Sequence, residues 1–200
     1  MNETRLGLTR VNGGVERKRS GRRWILLLVP ALLVPGLLVA FGGEPASAQS
    51  APDAGVGGGW EFRTAVTWLE LEPDKPSSVG VEFTMVGVRP LVWRLLPIGG
   101  VLTSSSGQGY AYAGLGIRVS LGSRLRLAPS ISAGAYNEGL NGTRLGSPLE
   151  FRSSLAIDVR LSGRTTVSFF LYHLSNAGLG ARNPGLEALG LGLSLPLRLR

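Results

Sequence analysis

Residues 110–121 read Tyr-Ala-Tyr-Ala-Gly-Leu-Gly-Ile-Arg-Val-Ser-Leu, and this stretch predicts a β-strand with two different faces. Its even-numbered positions hold tyrosine, glycine, arginine and serine. Its odd-numbered positions are all aliphatic, namely Ala111, Ala113, Leu115, Ile117, Val119 and Leu121. Because successive side chains of a strand point to opposite sides of a sheet, the alternation indicates one aliphatic face and one polar face.

The same alternation recurs along the chain from residue 60 onwards. It defines eight segments, at about 60–71, 78–88, 91–104, 108–121, 124–136, 148–160, 164–176 and 185–197. An even number of such segments, each about ten residues long, is typical of a transmembrane β-barrel. We therefore predict an all-β fold, an eight-stranded antiparallel transmembrane β-barrel, with the aliphatic faces towards lipid and the polar faces inside.

A soluble barrel or sandwich, such as a lipocalin-like fold, is the alternative. It would turn the aliphatic faces inwards and would need many lysine, asparagine and aspartate residues on its outer surface. From residue 49 onwards the chain has only one lysine, Lys75. The composition therefore favours the membrane barrel.

The first 48 residues have the order of regions found in a secretory signal peptide. Arginine and lysine dominate residues 1–24, an apolar run extends from Ile25 to Gly42, and Ala46-Ser47-Ala48 is a small-residue cleavage signature. We predict a signal peptide over 1–48, a flexible leader over 49–59 and the outer-membrane barrel over 60–200. An uncleaved transmembrane anchor is the alternative, although two prolines interrupt the apolar run.

Composition also limits the chemistry. The chain has no cysteine and one histidine, so thiol catalysis and disulfides are excluded and a metal site would depend on carboxylates that are spread along the chain. The basic residues beyond the signal peptide are scattered singly, which does not favour nucleic-acid binding. We expect no metal, no cofactor and no nucleic-acid partner.

The single histidine lies in a segment with reactive neighbours, Tyr-His-Leu-Ser-Asn-Ala-Gly at residues 172–178. His173 and Ser175 are two positions apart, so they share one face of a strand. Pairing of His173 with Glu187 on the next strand would place lipid-facing residues opposite one another along the whole hairpin. A base, a nucleophile and an orienting acid would then lie close together near the membrane interface. An interfacial ion pair without catalytic activity is the alternative.

The same segment resembles the signature of the lipid A 3-O-deacylases of PagL type. The resemblance lies in His173-x-Ser175-Asn176-Ala177-Gly178-Leu179, followed by Asn183-x-Gly185-Leu186-Glu187. It implies an outer-membrane hydrolase that removes the 3-O-linked acyl chain of lipopolysaccharide in the outer leaflet, without a cofactor.

The resemblance also implies a role for each matching residue. His173 would be the base, Ser175 the nucleophile and Glu187 the acid that orients His173. Asn176 and the backbone around Gly178 would form the oxyanion hole, and Asn183 would support the site. An esterase of the same mechanism that acts on phospholipid, and a barrel with a structural role only, remain open at this stage. So does the choice between a monomer and a homodimer.

Overall fold

The computed structural model describes residues 59–73, 75–161 and 164–197. The predicted signal peptide and all but the last residue of the predicted leader lie outside the described residues. Within the part of the chain that the structure describes, no helix is long and apolar enough to cross a membrane.

The described residues form one antiparallel sheet that closes on itself. The strands are β1 (Trp60–Leu69), β2 (Ser78–Gly87), β3 (Leu96–Ser104), β4 (Gly109–Gly116), β5 (Val119–Leu121), β6 (Leu125–Asn137), β7 (Leu149–Arg160), β8 (Thr166–Ser175) and β9 (Leu186–Leu197). Strands β1 to β4 pair in chain order, as do β5 to β9, and β1 pairs with β9. Both β4 and β5 pair with β6, as two halves of one barrel strand. This is a closed eight-stranded antiparallel β-barrel, as predicted.

The two faces have the predicted chemistry. On β9 the leucines at 189, 191, 193 and 195 are 42–56% exposed, whereas Gly190, Gly192 and Ser194 between them point inwards. On β7 the charged residues Glu150, Arg152 and Asp158 are buried. An aliphatic exterior around a polar interior is the arrangement of a barrel that contacts lipid, because the hydrocarbon replaces the apolar core of a soluble protein.

Side chains fill the lumen instead of leaving a channel. The Arg152 guanidinium donates to Glu82 at 2.9 Å and lies 3.9 Å from the centre of the Tyr172 ring. Tyr112 donates its hydroxyl to the same carboxylate at 2.6 Å. A buried charge is tolerated only when it is paired and hydrogen-bonded, and this cluster satisfies both conditions. The plugged interior leaves the outer wall and the loops as places for a functional site.

Two sequence predictions are corrected, one on where a strand begins and one on the face that a residue occupies. Residues 91–95 form a tight turn, with Leu91 N donating to Leu95 O at 2.9 Å, and β3 begins only at Leu96. Ile117 is buried, not lipid-facing, because the fourth barrel strand is interrupted there. Ile117 N donates to Pro129 O at 3.0 Å, but proline has no N–H to return the bond, so the ladder breaks.

Candidate active site

The β8–β9 hairpin places the predicted residues on the outer wall. His173 lies opposite Glu187, Leu171 opposite Leu189 and Phe169 opposite Leu191. This is the register that the sequence predicted from the matching of faces. A shift by one residue would turn the leucines of β9 inwards, so burial of the opposite face excludes such a shift.

His173 and Glu187 form a direct contact at the loop end of the hairpin. His173 Nδ1 donates to Glu187 Oε1 at 2.9 Å, since an ionised carboxylate can only accept. The side chains are 19% and 9% exposed, so this pair is partly shielded from solvent. In a neutral imidazole the proton on Nδ1 leaves Nε2 as the nitrogen that can accept a proton.

Ser175 is the next outward residue of β8 after His173 and lies opposite Phe151 of β7. Its side chain is half-buried. Within the described ranges, no hydrogen bond joins the Ser175 hydroxyl to His173. Hydrogen bonds between a nucleophile and its base are often longer before the substrate is bound, so this geometry is compatible with catalysis.

The loop that follows β8 begins with a tight turn in which two consecutive residues have positive φ. Leu179 N donates to Asn176 O at 3.0 Å, with φ of 54° at Ala177 and 81° at Gly178. Positive φ at both central residues defines a type I′ turn. A left-handed conformation is uncommon for alanine, and strain of this kind often occurs at functional sites.

Asn176 anchors this loop through every polar atom of its side chain. Its Nδ2 donates to Leu145 O at 2.8 Å and to Arg182 O at 2.7 Å, and its Oδ1 accepts from Gly178 N at 2.9 Å. Asn183 contributes through Oδ1, which accepts from Asn176 N at 3.1 Å. The side chains of Asn176 and Asn183 therefore both hold the loop. The predicted oxyanion role of the Asn176 amide stays a prediction, because both of its hydrogens are already engaged.

Gly185 is a site residue whose contribution the sequence did not reveal beyond its turn chemistry. Its φ is 73°, and a Cβ built on it would lie 2.7 Å from His173 Cε1. Only glycine lets the backbone approach the imidazole this closely in this conformation. Its place in the motif, two residues before Glu187, is the signal that could have indicated this role.

Two residues of the β1–β2 loop, 70–77, also reach the site. Glu70 N donates to Glu187 O at 2.9 Å, and Lys75 Nζ donates to Gly185 O at 3.5 Å. The Glu70 carboxylate is buried, and burial raises its pKa, although Thr143 and Lys75 oppose the shift by stabilising the charged form. No sequence signal identified either residue, because they are distant from the motif in the chain.

The described part of the chain holds no group of three or more histidine, cysteine, aspartate or glutamate side chains that could bind a metal ion.

The exposed aliphatic wall is the feature that characterises outer-membrane β-barrels, and here it carries a polar cluster. The family model described as lipid A 3-O-deacylase, PagL, matches residues 93–196. This match spans just over half of the chain, so the chain belongs to the PagL lipid A 3-O-deacylase family, a family of hydrolases. The matched range contains His173, Ser175 and Glu187.

The chain was also compared with solved structures, and one of them shows the same fold. The crystal structure of the outer membrane enzyme PagL aligns with a TM-score of 0.56 and 16% identity over 68% of this chain and 99% of that chain. Neisserial surface protein A aligns with a TM-score of 0.49 and 9% identity over 71% and 99% of the respective chains. No curated protein sequence matches the chain at a significant level. At 16% identity the PagL structure shows the fold alone, and the family match shows the class of protein.

Proposed function

We propose that this chain is an outer-membrane lipid A deacylase that hydrolyses the 3-O-linked acyl ester of lipopolysaccharide with Ser175, His173 and Glu187. The observation that carries the proposal is the 2.9 Å contact between His173 and Glu187 on the outer wall of a barrel of this family, beside Ser175. An imidazole held by a carboxylate next to a hydroxyl is the arrangement that activates a serine nucleophile.

The proposed reaction has two stages. The Ser175 hydroxyl attacks the acyl carbonyl while His173 Nε2 takes its proton, and Glu187 stabilises the imidazolium through Nδ1. The tetrahedral intermediate collapses, the bond to the sugar oxygen breaks, and His173 returns the proton to that oxygen. A water molecule then attacks the acyl-serine while His173 takes its proton; the bond to Ser175 Oγ breaks, His173 returns the proton to Oγ, and the fatty acid is released.

The loop over residues 176–185 is the proposed source of oxyanion stabilisation and support. One well-placed donor typically contributes about 3 kcal/mol to lowering the barrier. Both hydrogens of the Asn176 amide and the Gly178 N–H are already hydrogen-bonded. We therefore propose that Asn176 and Asn183 keep the strained turn in place, and that a donor becomes available when the turn adjusts to substrate.

The position of the pair suits a substrate that is held in a membrane. Leu171, Leu189 and Phe169 continue the outer face away from the loop, so they would contact acyl chains while the headgroup stays outside. A charged group on the lipid face is costly at the bilayer midplane and much less so near the interface. The position at the loop end of the strands therefore suits an ester at the hydrocarbon boundary.

Expression of the full chain in an outer membrane whose lipid A carries the 3-O-linked ester tests the proposal. Mass spectrometry of lipid A should show loss of one acyl chain, and Ser175→Ala should reduce the rate by on the order of 10³-fold or more. Ser153→Ala is a matched control, because Ser153 is another outward serine and lies opposite His173.

Each alternative gives a different result in this experiment. Loss of phospholipid acyl chains with intact lipid A would replace the proposed substrate by phospholipid. If the wild-type protein leaves all lipids unchanged, the alternative of a barrel with a structural role only is supported. Loss of activity in Ser153→Ala and not in Ser175→Ala would show that the wrong nucleophile has been assigned.

A further inference from the structure

The β1–β2 loop contacts the backbone of Gly185 and of Glu187, on the β9 side of the His173–Glu187 pair. Glu70 N donates to Glu187 O, and Lys75 Nζ donates to Gly185 O. Lys75 and Gly185 are 110 residues apart in the sequence, so closure of the barrel, with β1 beside β9, creates this contact. The hairpin alone does not provide these two contacts.

Lys75 is itself held in place from several directions. Its ammonium lies 3.5 Å from Glu70 Oε2 and 3.3 Å from Glu72 Oε1. The Glu70 side chain is only 1% exposed, and its other oxygen accepts a hydrogen bond from the Thr143 hydroxyl of the β6–β7 loop. Glu70 also adopts a left-handed backbone with φ of 63°, which a glutamate keeps only when its surroundings enforce it.

Lys75 contacts a residue that itself packs against the imidazole. Gly185 is packed so closely against His173 that a single added Cβ would overlap Cε1. Gly185 also lies two residues before Glu187, whose carbonyl is held by Glu70. A movement of Gly185 would therefore displace both the surface that the ring contacts and the start of the strand that carries the acid.

We propose that Lys75, held by Glu70, is a positioning residue for the His173–Glu187 pair. Its consequence for catalysis rests on the proposed function, but its effect on the imidazole does not. Lys75 touches neither His173 nor the reacting atoms, and it acts through the Gly185 backbone. A partly exposed ion pair contributes little to stability. On this proposal, the main role of the Lys75–Glu70 pair is to position the His173–Glu187 pair.

The chain's single histidine makes the structural part directly measurable. The protein, labelled at histidine ¹³Cε1 and refolded in detergent micelles, should give one Cε1–H resonance. Lys75→Met keeps much of the aliphatic stem and removes the ammonium, and we expect it to shift or split that resonance. Arg144→Met is the control, because it removes a cation from an exposed loop ion pair with Glu138 and should leave the resonance unchanged.

Heat-dependent gel migration reports whether each variant has folded as a barrel. Glu70→Gln is the second variant. It keeps Lys75 but weakens its anchor, so it should move the resonance in the same direction and by less. It also supplies the readout if Lys75→Met does not fold. An unchanged resonance in the folded variants would overturn the proposal whatever their activity.

The kinetic part follows from the same variants. With an ester substrate in mixed micelles, Lys75→Met should lower kcat on the order of tenfold and leave KM within about twofold, because small misplacement of a catalytic group lowers kcat strongly. A change in KM alone would contradict a positioning role. If the wild type hydrolyses no lipid ester, the proposed function fails, and the resonance still decides whether Lys75 positions His173.

Discussion

Gly185 shows how a residue without a side chain can determine the geometry of a side-chain pair. Its left-handed φ and its approach to His173 Cε1 both require glycine, and the two requirements can be separated by experiment. Gly122 offers the comparison, since its φ is 82° but a Cβ there would meet nothing within 4 Å.

We expect Gly185→Ala to lower kcat by about tenfold to a hundredfold, because the new methyl group displaces the imidazole as well as straining the backbone. Gly122→Ala should cost only about 1–2 kcal/mol of stability from the positive φ and leave kcat unchanged. Steady-state kinetics and urea unfolding in micelles measure the two effects. Equal losses of kcat in both variants would show that backbone strain, and not the contact with His173, is responsible.

At the scale of the element, β9 shows the difference between its two faces most clearly. Leucine alternates with glycine and serine along this strand, and the leucines are exposed to the surroundings of the barrel. Depth in the bilayer, not only the choice of face, should decide the cost of a charge there.

Leu191 lies near the middle of β9 and Leu195 near its end, and both face outwards. Leu191→Arg should destabilise the barrel by about 2–4 kcal/mol and Leu195→Arg by only about 0–1 kcal/mol. Reversible unfolding in lipid vesicles measures both free energies. An equally large loss of unfolding free energy in both variants would show that the hydrocarbon core also covers the end of the strand at Leu195.

The elements also show what could be predicted from the sequence. The His173–Glu187 register could be predicted because face matching allows only one parity. The burial of Ile117 could not be predicted, because it is caused by the missing N–H of Pro129, which lies on another strand. The contact between Lys75 and Gly185 was also out of reach, since loops lack the periodicity that aligns strands and only closure of the barrel brings them together.

At the scale of the whole molecule, the loops differ between the two ends of the barrel. The His173 end carries the loops 70–77, 105–108, 138–148 and 176–185, and the other end carries 88–95, 122–124 and 161–165, so the two longest loops between described strands, 138–148 and 176–185, both lie at the His173 end. Barrels of this class have short periplasmic turns and longer extracellular loops. We therefore expect the candidate site to lie at the extracellular end.

The absence of cysteine allows a direct test of this orientation. Leu140, which is 97% exposed in the 138–148 loop, and Ser123, exposed in the 122–124 turn, are suitable for single replacements. Leu140→Cys should react with a membrane-impermeant maleimide in intact cells, and Ser123→Cys only after lysis. The reverse pattern would place the site at the periplasmic side.

Export can be checked on the same cells. We expect the signal peptide to be removed, so that the mass of the purified protein should correspond to a chain beginning at Gln49. A mass that still includes the Ile25–Gly42 apolar run would favour the membrane anchor instead.

The outward direction of His173 and Glu187 has a consequence for the kinetics of the proposed reaction. Because the pair lies on the outer wall of a plugged barrel, a lipid would reach it by lateral diffusion in the plane of the leaflet, not through a channel. The rate should then depend on the surface mole fraction of the substrate. Dilution with inert lipid at constant bulk substrate concentration should slow the reaction, whereas dilution of the whole suspension with buffer should have little effect on the turnover of each membrane-bound enzyme.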